Sequence, residues 1–106
     1  MPNAEQILQA CIESLSIRAN KETTLTWLGE RSFVIGLFET LHRHGIPLNE
    51  ADIYRRALAC QYDDKTADLV AALAGSIGRG ELHEIDNPVK FQRGKNRAAE
   101  IIDLHQ

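Results

Sequence analysis

Apolar positions recur along most of the chain at intervals of three and four residues, the spacing that places them on one stripe of an α-helix. Ile7, Leu8, Cys11, Ile12 and Leu15 form the first stripe, and with Asn3 as cap and Gln6 positioned to reach back to it, they predict a helix over about 4–18. Thr23, Thr24 and Thr26 around Leu25 fit either a helix start or a short extended piece before Gly29, with helix favoured. From Arg31 to Arg43 the stripe returns in Phe33, Val34, Leu37, Phe38 and Leu41. Gly45 and Pro47 then stop it, since glycine accepts the left-handed conformation that closes a helix and proline cannot continue one. Gly29 and Gly36, seven residues apart, lie on one face and let another backbone approach, either within the fold or across an interface.

The segment 45–53 reads as a stop, a tight connection and a capped start. Asn49 is the cap, and Leu48 and Ile53 are spaced as a hydrophobic staple. The helix it opens runs to about Cys60, with Ile53, Ala57 and Cys60 inward and Arg55 and Arg56 outward. Asp63 and Asp64 are alternative caps for a fourth helix carrying Leu69, Val70, Leu73, Ala74 and Ile77. Between Asp68 and Arg79 that helix has no charge, so it is expected to lie at the centre of the fold. Gly75, Gly78 and Gly80 weaken and end it. Helical spacing then lapses, and Pro88 interrupts a short alternating stretch. A hairpin and an ordered loop both fit 82–91. Asn96 can cap a last short helix with Ala98, Ile101 and Ile102, which must dock because so short a helix does not persist alone in water.

The expected fold is therefore mainly α, a compact bundle of four to five helices forming a single domain over 1–106. Composition agrees: 43% apolar and 25% charged residues are the proportions of an ordinary globular protein. No apolar run approaches the roughly 20 residues of a membrane span, and the first residues lack the basic and apolar regions of a secretory signal. A cytoplasmic protein with no membrane association is expected. Cys11 and Cys60 fall at apolar helix positions, as free thiols used for packing.

Candidate chemistry is sparse. Zinc sites need close pairs of Cys or His, whereas His42 and His44 diverge on a helix and neither cysteine has a neighbour. No nucleophile elbow, phosphate loop or dinucleotide fingerprint occurs. No metal, cofactor or catalytic residue is expected, and the chain reads as a non-enzyme. A net charge of −3 argues against nonspecific coating of nucleic acid. Charge is nonetheless uneven, because Glu81, Glu84 and Asp86 are followed by Lys90, Arg93, Lys95 and Arg97 without an acid among them.

Two roles follow. The first is a protein-binding module, an adaptor, inhibitor, chaperone or assembly subunit whose partner is another protein or a second copy. Its candidate contacts are the aromatics Trp27, Tyr54 and Tyr62 and the basic segment 89–97. The second is a DNA-binding regulator resembling a winged helix-turn-helix, with residues 49–78 as the reading unit and 89–97 reaching the phosphates from a wing. Its weakness is acidic: the reading helix would open on Asp63 and Asp64.

Overall fold

A computed structural model describes residues 3–19 and 24–106, with the side chains of 16–19 and 24–29 outside the description. Five helices occur among the described residues: α1 (Ala4–Ala19), α2 (Thr24–Arg43), α3 (Glu50–Ala59), α4 (Asp64–Gly78) and α5 (Pro88–Leu104). No strand is present among them, so the mainly α bundle expected from the spacing is the fold.

Local chemistry accounts for the helix ends. Asn49, Asp63 and Asn87 stand at the starts of α3, α4 and α5, and each side-chain oxygen accepts from the backbone N–H three residues on, at 2.9, 3.0 and 3.1 Å. Hydrogen bonds from Thr66, first its backbone N–H and then its hydroxyl, hold the Asp63 carboxyl below its ordinary range. Helices α2, α3 and α4 all stop in the same way. The N–H groups of Ile46, Tyr62 and Glu81 return to the carbonyls of Leu41, Ala57 and Ser76, closing a left-handed turn. That turn residue is Gly45 in α2 and Gly80 in α4, but Gln61 in α3.

Helix α2 is central. Ser32 to Phe38 are buried without a break, which one stripe of a surface helix cannot produce. Phe38 is the largest of the fully buried side chains, and α2 packs against α5, α4 and α1. This corrects the expectation that α4 occupies the middle. The inner face of α4 is built from Ala67, Val70, Ala71, Ala74 and Ile77, while Leu69 is 43% exposed and Leu73 only half-buried. Small residues face α3: a Cβ at Gly75 would stand 2.8 Å from that of Glu50, and one at Gly78 would stand 2.5 Å from the Leu48 carbonyl. Backbone proximity, rather than large side chains, sets that contact.

Helix α5 is longer than the spacing suggested. It begins at Pro88, not near Asn96, with Asn87 as cap and proline in its first turn. The missing N–H of proline costs nothing there, so Asn87-Pro88 starts a helix rather than breaking one. No hairpin forms at 82–91: residues 82–87 are an ordered loop and 88–91 are helical. Between Phe91 and Ile101 the inner positions of α5 carry only the small residues Gly94 and Ala98. A Cβ at Gly94 would land on the Phe33 carbonyl oxygen, and one at Gly36 on that of Phe91, so α2 and α5 cross backbone to backbone. The approach allowed by Gly36 is thus internal packing; Gly29 lies outside the described side chains.

Candidate docking loop

The structure separates the sequence-based candidates. Tyr62 is only 4% exposed, and its hydroxyl donates to the Ile12 carbonyl at 2.8 Å, tying α1 to the turn after α3. Burial pushes that hydroxyl's pKa upward. It is a core residue and not a contact residue, as its place at the end of the α3 closing turn requires. Tyr54 is half-buried beside Glu50, Ala51 and Asp68 in a shallow depression between α3 and α4. The side chain of Trp27 lies outside the described residues.

The cations of 89–97 are carried by α5, not by a wing. Lys90 Nζ lies 2.8 Å from the carboxylate of buried Glu30, Arg97 lies 3.9 Å from Glu100, and Lys95 sits over the Phe91 ring at 5.4 Å. Lys90, Arg93 and Arg97 share one stripe, and Lys95 is turned away from it. The hairpin that would have carried them beside α4 is absent because Asn87-Pro88 initiates a helix. Arg56, expected to point outward, crosses to α1 and bonds Gln9 at 3.0 Å and Glu5 at 3.3 Å. Cys11 is wholly buried, and loss of hydration raises its thiol to about 12 against a smaller opposing pull from Arg97. Burial also raises the half-buried Cys60 thiol, with a further push from Glu13.

A side-chain cluster that sequence reasoning missed joins the C-terminal end of α4 to the loop. Ser76 Oγ and His83 Nε2 are 2.6 Å apart, the Ser76 hydroxyl is 2.8 Å from the Leu73 carbonyl, and His83 Nδ1 is 3.3 Å from the Arg31 guanidinium. Side by side, serine and histidine suggest a nucleophile and its base. The bond directions run the other way. Arginine can only donate, so His83 Nδ1 accepts, Nε2 carries the hydrogen, and Ser76 receives it while donating to the Leu73 carbonyl. A histidine donating to serine is not placed to remove its proton. Its chain spacing was uninformative because Ser76 belongs to a helix and His83 to irregular backbone.

What the cluster does is pin the loop. Arg31 also donates to the Glu84 carbonyl at 3.0 Å, the Asn87 N–H donates to Ser32 Oγ at 3.0 Å, and the Glu81 N–H donates to the Ser76 carbonyl at 3.0 Å. Between these anchors the chain alternates: His83, Ile85 and Asn87 turn inward, while Leu82, Glu84 and Asp86 turn outward. Leu82 is 95% exposed, and Val89, in the first turn of α5, is 61% exposed. Replacing His83 with alanine should release the loop: amide exchange of Glu81 and Asn87, whose N–H groups anchor it, is expected to accelerate at least about tenfold while the interiors of α2 and α5 keep their protection. Unchanged exchange there would mean that the other anchors suffice.

At the opposite end of α2 and α5, a cavity of about 340 Å³ opens where α1 begins, α2 turns into α3 and α5 ends. Among the described residues no group of three or more His, Cys, Asp or Glu is placed to hold a metal ion, and no helix is long and apolar enough to cross a membrane.

A family model, described as a domain of unknown function (DUF1889), matches residues 4–98. The chain belongs to the DUF1889 family. The DUF1889 match takes in α1 to α4, the 82–87 loop and the Gly36–Gly94 crossing, and stops within α5. No curated protein and no solved structure matches the chain.

Proposed function

We propose that this protein is a non-enzymatic, cytoplasmic protein-binding module that engages its partner through the 82–87 loop and the first turn of α5. One observation carries the reading: an almost fully bare leucine, Leu82, stands on backbone immobilised by Ser76, Arg31 and Ser32. A flexible loop would have to lose conformational entropy on docking, whereas a pinned one has lost it already, which leaves more of the interaction free energy for affinity. Val89 extends the apolar element, and the exposed Glu84 and Asp86 flank it with negative charge, Glu81 being paired with Arg79 at 3.0 Å. The complementary partner is a protein surface with an apolar pocket and a cationic rim. The direction of the Ser76–His83 bond supports a positioning role for those residues rather than turnover.

The experiment compares the wild-type chain with Leu82→Glu. Leu82 touches little, so the melting temperature should move by no more than a degree or two. Cross-linking in cells followed by reconstitution with the purified partner should show at least about tenfold weaker binding for the variant, the effect of losing one apolar anchor and gaining a misplaced charge. If the partner is a second copy, the same substitution shifts the sedimentation coefficient toward monomer. Equal binding by both chains would sink the proposal. Salt-sensitive binding to duplex DNA that is lost on reversing Arg93 and Arg97 would put the regulator role in its place.

A further inference from the structure

We propose a second site, at the end of the bundle away from Leu82: a binding cavity for a small carboxylic acid with an apolar body. The cavity measures about 340 Å³ and is walled by Ile7, Ile46, Pro47 and Ile102, with His44 and His105 also lining it. Ile7, Ile46 and Ile102 are buried residues of the core, so the floor is fixed packing rather than a gap between mobile side chains. Asn3 at the start of α1 donates from its side-chain amide to the His105 carbonyl, which ties two of the three converging elements together. At roughly 30 Å³ for each water-sized group, about eleven non-hydrogen atoms fill the space.

The two histidines set the chemistry. Each follows the last residue of its helix, α2 or α5, and each holds Nδ1 2.9 Å from the carbonyl four residues earlier, Thr40 in one case and Ile101 in the other. A carbonyl only accepts, so Nδ1 carries hydrogen in both rings, and Nε2 is the nitrogen left for a ligand. A carboxyl group satisfies that nitrogen in either protonation state. Neutral imidazole accepts from the acid O–H, and imidazolium donates to the carboxylate; the two arrangements differ only in where one proton sits. An alcohol satisfies the neutral ring alone, and no aspartate or glutamate lines the cavity. Apolar walls beside a paired head are the arrangement that small-molecule sites favour. The site is independent of the docking loop.

Titration calorimetry and amide shift mapping on the full chain, with butyrate, hexanoate, octanoate and hexanol as probes, test the assignment. Affinity should rise about fourfold for each methylene buried, up to octanoate, where the volume is filled. Shifts should centre on Ile7, Ile46 and Ile102. His44→Gln and His105→Gln, at positions outside the buried core, should each weaken hexanoate by about tenfold and hexanol, which bonds only the neutral ring, by less. Ile46→Phe, which fills the cavity, should abolish binding of all four probes; should that variant not fold, the glutamine variants carry the test alone. The proposal is overturned by the absence of saturation at millimolar concentrations, by hexanol matching hexanoate, by indifference to both histidines, or by shifts centred elsewhere.

Discussion

Gly94→Ala should destabilise the protein by about 3 kcal/mol, the upper part of the range for forcing a methyl group into a filled space. Elsewhere in a helix the same change is favourable by about 1 kcal/mol, because alanine restricts the unfolded chain and suits helical geometry. Here the added carbon meets the Phe33 carbonyl oxygen and stands 3.0 Å from the Leu37 backbone nitrogen. Neither belongs to a flexible side chain, so relief requires α2 and α5 to separate along their whole contact. Gly36→Ala meets the Phe91 carbonyl and the Lys95 nitrogen and should cost a similar amount. Together the two should cost less than their sum, since helices already forced apart by one methyl group make room for the other. Urea denaturation of the three variants reads all of this, and a neutral or stabilising Gly94→Ala would show that the helices do not cross so closely.

The second large effect locates the core. Phe38→Ala should remove about 4 kcal/mol, the transfer of a large aromatic side chain together with the cavity left behind. Phe38 is wholly buried in the middle of α2, the helix that α1, α4 and α5 surround. Leu73→Ala on α4 should remove only about 1 kcal/mol, because that leucine is half-buried and its loss leaves an open notch instead of an enclosed void. The order of the two losses is the decisive measurement. A larger loss at Leu73 would return the centre of the fold to α4.

The mistaken placement of α4 has an identifiable cause. Large apolar residues free of charge were read as the most buried, but α4 meets its neighbours through Ala67, Ala71, Ala74, Gly75 and Gly78, residues with little hydrophobic signal that let backbones come close. The shortened α5 has the same origin, since Gly94 occupies a core position that a periodicity of large side chains cannot register. Tyr62 illustrates the converse. An aromatic residue in a polar turn looks available for a partner, yet the closing turn of α3 swings it inward, where the Ile12 carbonyl accepts its hydroxyl. The 82–87 loop left a faint trace in sequence, in the alternation of Leu82, His83, Glu84 and Ile85. Alternation reports that one side of a segment is covered without reporting what covers it, and here the cover is α2 and α4 and not a second strand.

Along the chain alone, the helices with strong stripes, the Asn49 cap of α3, an aspartate start for α4 and the glycine stops of α2 and α4 were determined, because capping and helical periodicity are interactions between residues a few positions apart. Tertiary structure decided which helix is enclosed, where α5 begins to pack, and that Ser76, His83 and Arg31 meet. Those outcomes rest on contacts between residues distant in sequence, and on glycines whose contribution is the space they leave for another backbone.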